Sequence, residues 1–118
     1  MPKLKSGNIY SKIPTTKDRE IFQALLRNKK LKIERIVSCG QFTEKGKWLK
    51  DAHAEWVMVL KGAAKLRFQK DGCLIKLKAG DYILIPANTA HRVEWTALRK
   101  TIWLAIHISV EPEGEKHA

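Results

Sequence analysis

Turn signals interrupt the second half of this sequence so often that no helix of ordinary length fits between them. Gly62, Asp71-Gly72, Ala79-Gly80-Asp81 and Pro86-Ala87-Asn88-Thr89 each break a run of apolar and β-branched residues. These residue types mark turns because they supply unusual φ values or bond their own backbone. The runs between them, 55–68 (broken at Gly62), 73–78, 82–85, 91–96 and 101–109, have the length of strands. Asp71-Gly72 is a hairpin signal. Upstream, Leu31, Ile33 and Val37 alternate with polar neighbours except at Ile36, and a turn-rich region runs from Cys39-Gly40 to Gly46-Lys47. Short strands separated by turns this frequent predict an all-β barrel or sandwich.

One helix is expected ahead of the strands. Thr15 with Asp18 is similar to a capping box, Asp standing in for Glu. Ile21, Phe22, Leu25 and Leu26 repeat at helical spacing. Asn28, Lys29 and Lys30 suit a C-terminal end, where cations favour the dipole. The reading is an arm over 1–14, a helix over 15–28 packed on a barrel over 31–109, and a charged tail over 110–118. With 118 residues there is room for one domain and one core.

A hydrophobic fraction of 44% is too high for a disordered chain. No run approaches the ~20 apolar residues that would span a bilayer, so no membrane association is expected. Met1 to Ser6 is basic with no apolar segment behind it, so no signal peptide is expected and the cytoplasm is the expected location. Cys39 and Cys73 have no CxxC spacing and no neighbouring histidine; they are expected to be reduced and at least partly buried.

The formal net charge is +11, and it is uneven: residues 1–50 carry 13 Lys and Arg against four Asp and Glu, residues 51–118 ten against eight. Such a surplus attracts anions and favours solubility. The basic motifs interleaved with aromatics that mark RNA-binding domains are absent, so a solvated lysine-rich surface is the expectation, and nucleic-acid binding through the basic N-terminal half ranks behind it.

Two segments carry a family pattern. The stronger runs Gly80-Asp-Tyr-Ile-Leu-Ile-Pro86-Ala-Asn88-Thr-Ala-His91-Arg-Val-Glu-Trp95; the weaker is Glu55-Trp-Val-Met-Val-Leu-Lys-Gly62. They resemble the two motifs of the cupins, small double-sheet jelly-roll barrels whose typical members hold a metal inside. Gly80, Pro86 and His91 match in register. Asn88 replaces a Gly and Trp95 a final Asn; Asn tolerates positive φ as Gly does. The paired histidines of the first motif are missing: their slots fall on Trp48 and Lys50, or Leu49 and Asp51. With Ile33-Glu-Arg-Ile, Trp48 and Trp103-Leu-Ala-Ile-His107 added, the whole chain resembles small single-domain bacterial cupins of the RmlC-like type. The implied fold is all-β, a double-stranded β-helix.

Strand alternation places His53, Glu55, Val57 and Val59 on one face and Trp56, Met58 and Leu60 on the other. By the same rule His91, Val93 and Trp95 share a face, as do Trp103, Ala105 and His107. The resemblance implies that Glu55 points into the barrel. One mouth then collects His53, Glu55, His91 and His107, ringed by Trp48 and Trp95.

Two chemistries stay open there. His53, Glu55 and His91 as ligands would suit Zn, Mn, Fe or Ni and leave a position free for a Lewis-acid role. Alternatively Glu55 and His91 are a hydrogen-bonded or acid–base pair, as in metal-free cupin-like epimerases and isomerases. Trp48, Trp95, Arg35 and His107 are candidate ligand contacts, since aromatics around a polar floor suit a planar or sugar-like ligand. Arg35 reads as an anion anchor or, more often, as a paired structural residue, and the commoner readings of His107 and His53 are a satisfied core histidine and an exposed strand end. No phosphate-binding Gly-rich loop, GxSxG or Cys-His pair is present. The expected function is small-molecule binding in the barrel, with a divalent-metal enzyme acting on a polar or anionic substrate and a metal-free ligand-sensing module as its two forms. Homodimerisation is common among cupins, and Trp56 and Met58 are candidates for the contact.

Overall fold

The computed structural model describes residues 3–14 and 17–109. They contain eight strands: β1 (Ile21–Arg27), β2 (Leu31–Ser38), β3 (Ala54–Lys61), β4 (Ala63–Phe68), β5 (Leu74–Lys78), β6 (Tyr82–Ile85), β7 (His91–Thr96) and β8 (Thr101–Ile108). Two antiparallel sheets form, in the orders β1-β2-β8-β3-β6 and β5-β4-β7. This is the all-β architecture expected from the turn spacing, in the jelly-roll form that the resemblance implies. No helix among the described residues is long and apolar enough to cross a membrane.

The core lies between the sheets, where alternation turns Ile36 of β2, Val57 and Val59 of β3, and Trp103 and Ala105 of β8 toward Ala64 and Leu66 of β4 and Leu77 of β5. Ladder register carries the same faces onward to polar residues at one end: Glu55 stands opposite His107, and Glu34 opposite Ala105. At the β3–β4 connection Gly62 has a φ of 91°, and a Cβ there would meet Thr101 Oγ1 at 2.5 Å. Only glycine fits that corner.

The expected helix over 15–28 is not formed. Among the described residues there is none: residues 21–27 are β1, paired antiparallel with β2. Thr15, the proposed cap, lies outside the described residues. The helical spacing has a different cause. The β1–β2 register shifts between Ala24 and Leu26, so Leu25 is an extra residue that brings two apolar side chains together and breaks period-two alternation. Asn28 is a hairpin turn: its Oδ1 accepts the N–H groups of Lys30 and Leu31 at 2.8 and 3.0 Å. Pairing with β2 overrides local propensity.

A second irregularity matters more for the site. The β4–β7 register shifts between Lys65, opposite Trp95, and Leu66, opposite Val93, leaving Glu94 as the extra residue. Cys39 and Cys73 are free thiols; Cys39 is half-buried, whereas Cys73 is exposed, against expectation, beside the 71–72 turn.

Candidate functional site

A cavity of about 120 Å³ opens between the sheets. Its walls are mainly apolar, from Ile36, Val57, Leu66, Ile85, Val93 and Trp103, with the exposed side chains of Phe22 and Leu49 at the mouth. Three ionisable residues line it, Glu20, Glu55 and His91, and no Lys or Arg does.

Glu55 reaches the wall because it shares the inward face of β3 with Val57 and Val59. Across the β3–β8 ladder its Oε2 is 3.8 Å from His107 Nε2, which is only 2.7 Å from Oε2 of the buried Glu34. Lys32 Nζ lies 3.6 Å from the other oxygen of Glu34. Glu34 therefore holds the near partner, and Glu55 keeps the longer contact. Burial raises the Glu55 pKa above its ordinary value, a shift opposed by the imidazoles of His107 and His91.

His91, only 6% exposed, shares the inward face of β7 with Val93. Its backbone exchanges hydrogen bonds with Leu49 at 2.6 and 2.9 Å, fixing the 39–53 segment to the barrel. Nδ1 is 2.9 Å from the Thr89 carbonyl oxygen. A carbonyl only accepts, so Nδ1 carries the proton, and in the neutral ring Nε2 is the basic nitrogen.

Sequence reasoning missed Glu20 and Glu34. Glu20, just before β1, accepts a 2.6 Å hydrogen bond from Ser38 Oγ, which in turn accepts one from Trp103 Nε1 at 3.1 Å. This chain fixes one of its oxygens at the cavity wall. Nothing local marks Glu20, which was read as part of a helix. Glu34 does alternate onto the face of Ile36, so its burial had a period-two signal that a partner at His107 completes.

The other predicted residues lie elsewhere. His53 precedes β3, is exposed, and sits with Nδ1 3.4 Å from Asp51 Oδ1; the turn-rich segment ends the strand before it. Trp48 is outside the cavity lining and packs under the guanidinium of Arg92, 5.9 Å from its ring centroid. Arg92 also donates to the carbonyls of Thr43, Glu44 and Lys47. Trp95 does not share the face of His91 and Val93: the extra Glu94 turns it outward, where it is 40% exposed. The expected aromatic ring around the mouth is therefore not built from Trp48 and Trp95. Arg35 is buried on the outer face of β2, with its five N–H groups directed at Gln23 Oε1 and the carbonyls of Ile9, Ser11 and Lys12. It ties down the N-terminal arm, the structural one of its two readings.

The residues do not fit the metal expected from the resemblance. Among the described residues no group of three or more His, Cys, Asp or Glu stands close enough to hold an ion. His53 is turned to Asp51, His107 is engaged by Glu34, and Glu20, though it lines the cavity with Glu55 and His91, is held by Ser38 and does not complete a set of three ligands with them.

Comparison with known proteins agrees with this architecture. A solved protein of Ralstonia eutropha, provisionally named a mannose-6-phosphate isomerase, is 41% identical with a TM-score of 0.86, covering 91% of this chain and 100% of that one. A cupin superfamily protein of Desulfitobacterium hafniense (18% identity, TM-score 0.74, covering 93% and 95%) shares the fold. So does a Streptococcus pyogenes protein of unknown function (18%, 0.73, covering 94% and 92%). No curated protein matches the sequence significantly. The model of the cupin domain matches residues 41–107, more than half of the chain, and on that match the chain belongs to the cupin family.

Proposed function

We propose that the cavity is a small-molecule site in which Glu55 and His91 act as an acid–base pair without a metal ion. The observation that carries this reading is that both line one cavity, Glu55 from the five-stranded sheet and His91 from the three-stranded sheet. Burial biases the Glu55 carboxyl toward its protonated, donating form, while the Nδ1 bond to Thr89 leaves Nε2 of His91 as a base. An acid and a base lining one cavity are what a proton shift between adjacent carbons of a hydroxycarbonyl compound requires. The isomerase name of the Ralstonia relative supports that reaction class.

The cavity also narrows the substrate. With Glu20 and Glu55 on its walls and no cation, the buried part of the ligand is neutral or cationic. A phosphate, where a substrate carries one, stays outside the mouth. The volume is below the roughly 300–1,000 Å³ of drug-sized sites, so a small molecule or the end of a larger one enters. The same proposal includes a cytoplasmic location and a homodimer through the outer face of β3 and β6.

Wash-out of carbon-bound protons from small hydroxyaldehydes and hydroxyketones in heavy water, followed by proton NMR, tests it. The expected result is exchange catalysed by the wild type and lost in both Glu55→Gln and His91→Ala. Saturable binding without exchange would instead make this a non-catalytic ligand-sensing module. Neither binding nor exchange would overturn the site.

A further inference from the structure

The outer face of the three-stranded sheet carries a row of residues that neither the core nor the cavity uses. Register sets Trp95 of β7 opposite Lys65 of β4, and Lys65 opposite Lys76 of β5. The Lys65 ammonium lies 5.1 Å from the Trp95 ring centroid. With Lys78 and Asp81 these residues border a groove of about 330 Å³.

Two features of the row work against simple folding. Like charges directly opposite on a ladder are destabilising. Among the described residues neither Lys65 nor Lys76 has a carboxylate at ion-pair distance, Asp81 being taken by Lys78 at 3.5 Å and Glu94 by Arg67 at 3.2 Å. In addition, a tryptophan that regular alternation would turn inward is turned out by the extra Glu94, and bulges commonly re-aim side chains at functional positions.

We propose that this face binds single-stranded nucleic acid, with a base stacked on Trp95 and flanking phosphates on Lys65 and Lys76. An exposed aromatic plane beside ammonium groups is the arrangement that binds such strands, the ring taking any base and the cations tracking the backbone. An acidic peptide matches the charge but leaves the ring unused. The motif is invisible along the sequence because residues 65, 76 and 95 come from three strands and meet only through register. The site is separate from the cavity, on the opposite side of the β4–β7 wall from His91 and Leu66, and stands or falls without it.

Fluorescence anisotropy with labelled oligothymidine and oligouridine, over a series of salt concentrations, tests the proposal on the full chain. Trp95→Ala is expected to weaken binding roughly five-fold or more without changing the salt slope, and Trp95→Phe to recover most of the loss. Lys65→Ala with Lys76→Ala is expected to flatten the slope of log affinity against log salt by about 1.4, two single-strand phosphate contacts. Lys29→Ala with Lys30→Ala, on the β1–β2 hairpin, serves as the control of equal charge. Any of three results overturns the proposal: no binding by the wild type at low salt, no effect of Trp95→Ala, or a control pair that flattens the slope as much as Lys65 and Lys76. Displacement of the oligonucleotide by an equal concentration of polyglutamate also overturns it, assigning the face to acidic peptides.

Discussion

Glu55 and Glu34 share one imidazole unequally: His107 Nε2 is 2.7 Å from Glu34 and 3.8 Å from Glu55. The nearer carboxyl takes the short contact on adjacent strands, and the farther one lines the cavity with its pKa raised by burial. One carboxyl is tied into the sheet, and the other is the one the proposed acid–base pair uses.

The pH dependence of stability follows from that difference. A carboxyl with a raised folded-state pKa holds its proton more tightly folded than unfolded. Its effect is therefore a loss of stability that sets in as pH rises from its ordinary value of 4.5 and is complete above the folded pKa. Glu55→Gln cannot ionise and escapes the loss. Its melting temperature is expected to gain on the wild type as pH rises from acid to neutral. A difference between the two that stays flat with pH would refute the assignment.

Removing the shared imidazole should be costly. Among the described residues His107→Ala leaves the buried Glu34 with only Lys32, at 3.6 Å, and is expected to cost about 1–3 kcal/mol beyond lost packing. Glu34→Gln in the same background should recover part of this in denaturant unfolding. Equal losses in the single and double variants would mean that the pair is not coupled.

Arg35 is expected to behave as an anchor for the arm. Lysine keeps the charge but has no planar fork to serve Gln23 and three carbonyls together. Arg35→Lys should lose about 1–3 kcal/mol and be cut faster by trypsin at Lys12. Unchanged stability and cleavage would return Arg35 to the role of an anion anchor.

Association is expected through the outer face of β3 and the edge strand β6. Trp56 stacks on Tyr82 with centroids 5.4 Å apart, and Tyr82 and Leu84 are exposed beside Met58. Edge strands and apolar sheet faces are ordinarily covered. Light scattering at high micromolar concentration should give a dimer that Met58→Glu converts to a monomer; a monomeric wild type would count against this face.

Much of the barrel was legible because turn chemistry is local. Gly62, Asp71-Gly72 and Gly80 end strands where expected, and Asn88 adopts a φ of 59° in the slot where the family has glycine. The inward faces of Glu55 and His91 followed from alternation and register with the motif. What failed was whatever depended on an extra residue or a distant partner. Leu25 made a strand look helical, Glu94 sent Trp95 to the other side of the wall, and the role of Glu20 rests on its contact with Ser38. Nothing in local spacing marks an inserted residue within a short strand.

The extra residue in β7 has a consequence for how the chain can change. It makes a strand of six residues legible in two frames: His91 and Val93 in one, Trp95 in the other. Loss of Glu94 would leave a regular ladder, Val93 opposite Leu66 and Trp95 opposite Lys65, with the indole still outside and the Thr96 side chain still inside, where it donates to the Gln41 carbonyl. A one-codon deletion would therefore keep both surfaces, whereas regular pairing with Glu94 retained would turn the indole inward. Substitutions at Trp95 likewise leave His91 where it is, so the outer face can diverge among relatives while the cavity stays the same.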